Sequence, residues 1–196
     1  MKDASTNMLA GIDLSASFLK PSSCAFLENG EISLISFNTN AEIAKWATDS
    51  TPDLIGLDAP LSIPMGLNGK FGSRECERDL LKEGIPVLMT SLIAPLTFRA
   101  IHLVELLSES EIRSIEVYPY SLRKQFNIAP EIKKESEFTR LKARFLEVFP
   151  FDVNPEQVKE HHDVDALLAL WMTKLVFDNA YKTTGNPEEG LIYLPL

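Results

Sequence analysis

The sequence predicts an α/β protein whose sheet combines a hairpin with parallel strands. Two runs predict buried strands: residues 8–14, which are apolar up to Asp13, and residues 53–58, which end in Asp58. Between them, Asn29-Gly30 separates the β-type runs Ser22–Glu28 and Glu31–Phe37, and Asn-Gly favours the positive φ angles of a type I′ hairpin turn. Helical periodicities follow, so the order strand, hairpin, helix, strand, helix, strand, helix predicts helices that flank a mixed sheet.

The remaining elements follow from spacing and from breakers. Residues 39–50 carry Ile43 and Trp46 at helical spacing, after polar residues that can cap a helix. The prolines and glycines of residues 60–72 predict a loop. The patterns further along predict helices at 74–83, 97–107, 137–149 and 163–180 and a third strand at 111–118 that ends before Pro119.

Length and composition predict one domain over residues 1–196. The chain is 45% hydrophobic and 24% charged, which suits a globular core. It has no run of 18 apolar residues and no apolar leader before Asp13, so we expect a cytoplasmic protein without a membrane span. The distant cysteines Cys24 and Cys76 have neither disulfide-scaffold nor zinc-site spacing.

Charge is segregated along the chain. The net charge of −9 argues against a generic nucleic-acid coat. Residues 123–144, however, hold seven basic and three acidic side chains, a local balance of +4. Within this basic segment, Lys133, Lys134 and Arg140 are candidates for binding a nucleic-acid backbone, and the alternative is a solvated helix face with i,i+4 ion pairs.

Asp13 and Asp58 are candidate cation ligands. Both follow an apolar run with the same glycine, aliphatic, aspartate ending, and ligands bind at the carboxyl ends of parallel strands. A carboxylate after a buried strand is costly unless it is paired or holds a metal, so two of them predict a bound cation. Alternatively, each aspartate caps the turn after its strand.

The final helix supplies a third aspartate. At 100° per residue, Asp165 lies about 80° and His162 about 60° from the centre of the apolar stripe, whereas Asp163 lies about 160° away. We therefore expect Asp165 to face the strand ends and Asp163 to be the N-cap. The alternative for Asp165 is a favourable charge near the positive end of the helix dipole. For the histidines, one interpretation is an exposed pair at 161–162, and the other is that His162 holds a metal or acts as a general base.

Several motifs in order resemble one protein family. They are GIDLS at 11–15, GLDAPLSIP at 56–64, R-x-C-E at 74–77, IEVYP at 115–119 and HHDVDAL at 161–167. In this combination the chain resembles domain-of-unknown-function family 429, predicted nucleases of the ribonuclease H-like superfamily. The resemblance implies a five-stranded ribonuclease H-like sheet with a metal site of the nuclease type.

The resemblance also implies roles for individual residues. Asp13, Asp58, Glu116 and Asp165 match the acidic positions of the family, and Arg74 and Glu77 match a polar pair, although Glu77 stands where aspartate is expected. Such a site would use Mg²⁺ or Mn²⁺ to hydrolyse phosphodiester bonds in DNA or RNA. Arg74 and Arg78 would bind phosphate in bidentate fashion. For both arginines, the alternative is a surface helix paired with its own acids.

Two other functional classes remain open. An actin-like phosphotransferase also begins with a glycine-aspartate strand and a hairpin, but it needs two such halves and 196 residues hold one. A binding or regulatory domain that kept the fold without catalysis suits the charge of −9. Divalent-metal binding that depends on the carboxylates would favour the nuclease over both.

Overall fold

A five-stranded mixed sheet lies at the centre of the computed structural model, which describes residues 7–17, 19–66, 72–128 and 135–196. The strand order is β3-β2-β1-β4-β5. The first three strands form an antiparallel meander, and β4 and β5 run parallel to β1, so the predicted combination of hairpin and parallel strands is confirmed. The strands are β1 (Leu9–Asp13), β2 (Ser22–Glu28), β3 (Glu31–Phe37), β4 (Leu54–Asp58) and β5 (Ser114–Glu116).

The β2–β3 turn is the one that its sequence predicts. Asn29 has φ 54° and Gly30 has φ 84°, the two positive angles of a type I′ turn. Glu28 and Glu31 are the last paired residues on either side of it. The register of the hairpin is therefore set locally, because a two-residue loop leaves no freedom to slip.

Helices cover both faces of the sheet. On one face, α1 (Asn40–Ser50) and α3 (Ala94–Glu109) pack on alternate strand residues such as Ala10 and Ile12. The opposite face packs against α4 (Pro119–Gln125), α5 (Glu135–Val148) and α6 (His161–Phe177). Because successive side chains of a strand point to opposite faces, the continuous apolar runs of β1 and β4 serve both layers.

The repeated glycine of β1 and β4 lets α6 approach the sheet. Gly11 and Gly56 are paired across the two strands. A Cβ atom at Gly11 would lie 1.9 Å from the backbone nitrogen of Leu170, and one at Gly56 would lie 2.1 Å from Oγ1 of Thr173. The shared glycine-aliphatic-aspartate pattern thus combines a packing requirement with the two strand-end aspartates.

The start of α6 differs from the prediction. The helix begins at His161, Glu160 is its N-cap, and Asp163 stands three positions inside the helix. Asp163 is also buried, and its carboxylate accepts hydrogen bonds from Ser23 Oγ at 2.8 Å and from the amide of Lys159 at 2.8 Å. The expectations that Asp163 is the N-cap and points away from the sheet are wrong, because α6 is covered nearly all round and a stripe angle does not define its exposed side.

Within the described part of the chain's second half, the sequence interpretation lacks one α-helix and two strands. The short helix α4 follows β5 directly, and a ribbon of β6 (Tyr181–Asn186) and β7 (Gly190–Pro195) follows α6, which ends at Phe177. The helix α2 (Glu75–Lys82) packs on this ribbon through a small apolar cluster. Among the described residues, no helix combines the length and the apolar character needed to cross a bilayer.

Candidate functional site

Asp13 and Asp58 lie side by side at one edge of the sheet. Each is the last residue of its strand, and they are Cα partners in the parallel β1–β4 pairing. Neighbouring strands lie about 4.8 Å apart, so two carboxylates in register stand close enough to repel each other. The sequence prediction that these two aspartates meet is confirmed.

Asp165 joins them from the first turns of α6. Arg123 on α4 donates to its Oδ1 atom from Nε at 2.9 Å and from Nη2 at 2.5 Å. Burial raises the pKa of Asp165 to about 6; Arg123 lowers it and the charge of Asp13 raises it. Asp165 is therefore a carboxylate whose charge is held by one neighbouring arginine.

His162 contacts the first aspartate directly. Its Nδ1 atom lies 2.5 Å from Oδ2 of Asp13. This hydrogen bond is the main reason why the pKa of His162 is raised, while burial works against it. The ring of the neighbouring His161 contacts it at a tilt of 38°, with ring centroids 4.0 Å apart. His162 is thus placed to share a proton with Asp13.

Asp58 has the least compensated charge of the three aspartates. No described residue donates a hydrogen bond to its carboxylate, which is only partly exposed. Burial raises its pKa well above the usual value, and the charges of Asp13 and Asp165 raise it further. Such a group binds a proton or a cation more readily than an isolated aspartate does.

Glu116 at the end of β5 belongs to a separate buried network. Both of its carboxylate oxygens accept from Arg74 at 2.7 Å, and the amide of Leu61 donates to Oε2 at 2.8 Å. Arg74 also donates from Nε to Glu77 at 3.1 Å. Burial raises the pKa of Glu116 and Arg74 lowers it. We call the set of Arg74, Glu77 and Glu116 the Arg74 network.

The Arg74 network corrects one alternative from the sequence. Arg74 is 1% exposed and Glu77 0%, so a solvated surface helix is wrong for this pair. The guanidinium is engaged by Glu77, Glu116 and Ser62 Oγ. Binding of substrate phosphate by Arg74 stays a prediction. Arg78 is half-buried and donates to the carbonyl of Ser73.

A cavity of about 210 Å³ opens beside the strand ends. Asp13, Asp58, Glu116 and Arg74 form its polar part. The rest of the lining is nearly all apolar and comes from the strand ends, the segment after β4, the segment before α3, the start of α3 and the C-terminal ribbon: Leu14, Ala59, Pro60, Val87, Leu88, Ile93, Leu96, Val117, Tyr118 and Ile192. The acidic residues therefore border a concave apolar surface.

The basic segment is not one continuous surface. Arg123 is buried against Asp165, and Lys142 and Arg144 donate to the carbonyls of Val158 and Phe126. Arg140 is exposed. Lys133 and Lys134 lie outside the described residues. Arg123 therefore belongs to the site, and the charge pattern of the sequence was wrong to place it on the nucleic-acid-binding surface. One signal was present: Arg123 follows Pro119 by one helical turn, and Pro119 comes shortly after β5, so Arg123 had to lie near the strand ends.

Asp13, Asp58 and Asp165 lie close together, but their side chains are not arranged as a preformed metal site. Within the described ranges, no group of three or more His, Cys, Asp or Glu side chains has an arrangement that could hold a metal ion. The side-chain pairing explains this result, because Asp13 is paired with His162 and Asp165 with Arg123. Carboxylates are nevertheless the ligands that hard divalent cations prefer.

No protein-family model and no curated protein matches this chain. Among solved structures, T. thermophilus RuvC in complex with a Holliday junction substrate aligns with a TM-score of 0.50 at 9% identity, covering 88% of this chain and 96% of that one. A second Thermus thermophilus RuvC structure aligns at 0.44 and 10% identity with the same coverage. At this identity the first alignment shows the fold alone: the protein has a ribonuclease H-like fold.

Proposed function

We propose that the protein is a divalent-metal-dependent nuclease that hydrolyses phosphodiester bonds of DNA or RNA. The observation that carries the proposal is the meeting of Asp13, Asp58 and Asp165 at one sheet edge, where burial and the charges of Asp13 and Asp165 raise the pKa of Asp58. The ordered motifs that resemble domain-of-unknown-function family 429 support it. The similar RuvC structure is a complex with a Holliday junction, so a nucleic acid is the first substrate to test.

Asp13, Asp58 and Asp165 would hold the metal. The chemistry of these ligands fits Mg²⁺ or Mn²⁺, and a bound ion would activate a water and stabilise the leaving oxygen. To bind an ion fully, Asp165 would give up its ion pair with Arg123. Asp13 would likewise give up its hydrogen bond with His162. In this proposal, His162 then holds a ligand or water beside Asp13. Glu116, committed to Arg74, positions the end of β5.

The decisive experiment measures Mn²⁺-dependent cleavage of single-stranded, duplex, hybrid and four-way-junction substrates. We expect Asp13→Asn, Asp58→Asn and Asp165→Asn to abolish cleavage and to weaken Mn²⁺ binding in calorimetry. Asp178→Asn is the matched control, because Asp178 pairs with Lys174 at the opposite end of α6. Full activity in Asp165→Asn, or loss of activity in the control alone, would contradict the proposal.

A non-catalytic binding domain is the second candidate function. It is favoured by the arginine and histidine partners that already satisfy two of the aspartates, and by the absence of a three-residue metal arrangement among the described residues. Nucleic-acid binding that is unchanged by Mn²⁺ and by Asp13→Asn, with no cleavage of any substrate, would select this function over the nuclease.

Substrate binding would use Lys133, Lys134 and Arg140 of the basic segment, of which Arg140 is exposed. Neutralising Lys133, Lys134 and Arg140 together should reduce the slope of log affinity against log salt by about 0.7 to 0.9 for each phosphate that is no longer neutralised. Arg144→Gln is the control, since Arg144 pairs with Glu147 and with a backbone carbonyl. An unchanged slope in the triple variant would remove the basic segment from the binding surface.

A further inference from the structure

The cavity beside Asp13 and Asp58 has a lining that a phosphate-binding cleft does not need. Its apolar side chains outnumber its polar ones, and they come from the sheet edge, the segment that leads into α3, the start of α3 and the C-terminal ribbon. A phosphodiester backbone is charged and hydrated and is bound by cations and hydrogen-bond donors. The apolar part of the cavity must therefore suit another part of a ligand.

Most polar groups in the cavity are already engaged by the protein. Glu116 and Arg74 bind each other, and the Tyr118 hydroxyl donates to the carbonyl of Pro86 at 2.5 Å. Asp13 is paired with His162, and the carboxylate of Asp58 has no hydrogen-bond donor among the described residues. The other walls thus offer apolar surface and few hydrogen bonds, which favours a flat apolar face over a ligand recognised by its polar edge.

The volume of the cavity and the charges that line it further restrict the class of ligand that it can bind. A volume of about 210 Å³ is below the 300 to 1,000 Å³ range of pockets for drug-sized ligands, so the cavity suits a single ring system. A negatively charged group would be repelled by Asp13 and Asp58, whereas the charge of Glu116 is balanced by Arg74. A neutral heteroaromatic ring meets both conditions, and in a nucleic acid that ring is a base.

We propose that this cavity takes one unstacked nucleobase of the substrate, next to the phosphodiester bond that the three aspartates act on. The inference rests on the proposed nuclease function and adds a substrate class to it: nucleic acids with an unpaired or easily unstacked base. Bases bound by stacking and apolar packing are accepted with little regard to sequence. Continuous duplex is the poorer substrate, because a base must first leave the stack.

Two neighbouring leucines allow a matched test. Leu88 lines the cavity and is 63% exposed at its mouth, so changing it does not disturb the core. Leu92, four residues further on, is 73% exposed and does not line the cavity. Leu88→Glu and Leu92→Glu therefore add the same charge to the same segment, one inside the proposed base site and one outside it.

The experiment is an abasic scan. The full chain carrying Asp13→Asn, which should bind without cleaving, is titrated with single-stranded 15-nucleotide DNA and RNA that lack one base at each position in turn. We expect one position at which removing the base weakens binding by about 5- to 150-fold, the equivalent of one base-stacking interaction. Adding Leu88→Glu should weaken binding of the intact strand and abolish this penalty, while adding Leu92→Glu should preserve it.

The outcomes separate the two proposals. A flat scan with intact binding overturns the base site, and Mn²⁺-dependent cleavage by the wild-type chain then still supports the nuclease. If the wild-type chain neither cleaves nor binds nucleic acid, both proposals are overturned. If Leu88→Glu instead converts a dimer to a monomer in sedimentation, the cavity mouth is covered by a second copy of the chain, which also overturns the base site.

Discussion

Two groups of carboxylates meet near neighbouring strand ends of the same sheet, one joined by Glu77 of α2 and the other by Asp165 of α6, and they differ in how their charges are balanced. In the Arg74 network, Glu116 and Glu77 share one buried arginine, which binds both oxygens of Glu116. In the aspartate group, Asp58 has no hydrogen-bond donor among the described residues, and its pKa is raised by burial and by the charges of Asp13 and Asp165. A closed network stabilises the fold, whereas an open one can gain free energy by binding a cation.

Exposure follows the same division. The side chains of Arg74, Glu77 and Glu116 are 1%, 0% and 7% exposed, whereas those of Asp13 and Asp165 are 16% and 21% exposed. The aspartates are thus more accessible to water than the Arg74 network, although Arg74 and Glu116 also line the cavity. Substitutions in the first group should therefore change mainly stability, and those in the second mainly binding and pH dependence.

Breaking the Arg74 network should have the largest effect on stability. Arg74→Met leaves Glu116 and Glu77 buried without their cation, and we expect the free energy of unfolding to fall by about 3 to 5 kcal/mol. Urea denaturation measures it. Lys82→Met on the same helix is the control, because its pair with Asp79 is exposed and should contribute less than about 1 kcal/mol. Equal losses in both variants would mean that the network does not stabilise the fold.

Asp163 tests whether neighbouring aspartates of α6 have separate roles. Asp163→Ala removes the acceptor of bonds from Ser23 Oγ and two backbone amides, so we expect a loss of about 1 to 3 kcal/mol in urea denaturation. Mn²⁺ affinity, measured by calorimetry on the folded variant, should stay within about twofold. Asp165→Asn should instead weaken Mn²⁺ binding and change stability less. A large loss of Mn²⁺ affinity in Asp163→Ala would mean that the two aspartates do not have separate roles.

Relieving the repulsion at Asp58 should stabilise the protein without metal. Asp58→Asn removes a charge that burial and two aspartates disfavour, so we expect a gain of about 0.5 to 2 kcal/mol in thermal or urea unfolding. The control is Asp53→Asn at the other end of the strand, where the carboxylate accepts from the amide of Met8 at 2.9 Å and its loss should destabilise. Destabilisation by Asp58→Asn would make this residue structural.

The pH dependence of stability tests the aspartate group through two titrating side chains, Asp165 and His162. The pKa of Asp165 rises from its ordinary 3.8 to about 6 on folding, so the native state binds more protons between these values and stability falls as pH rises through them. His162, with a raised pKa, contributes stability below about pH 6.5 that is lost as pH rises through its folded pKa.

Each group contributes a slope of at most about 1.4 kcal/mol per pH unit. Urea denaturation between pH 4 and 8 measures it, and Asp165→Asn should flatten the profile between about pH 4 and 6. If the profiles of the variant and the wild type run parallel, then Asp165 does not titrate as inferred.

Local sequence determined the elements that depend on neighbours in the chain. The Asn29-Gly30 turn fits its hairpin because φ preferences are properties of those two residues. Asp13 and Asp58 meet because each ends an apolar strand, and parallel pairing brings like ends together. The periodicity of α6 predicted a helix against the sheet, and the motif resemblance predicted the ribonuclease H-like fold.

Tertiary structure alone decided which charge each acid meets. Asp165 pairs with Arg123 and Glu116 with Arg74, each 42 residues away, and spacing along the chain carries no signal for such pairs. Burial of Asp163 depends on β2 crossing the start of α6, which helix periodicity cannot describe. Local conformational preference is encoded within a few residues, whereas ion pairing and burial depend on segments that only the packed fold brings together.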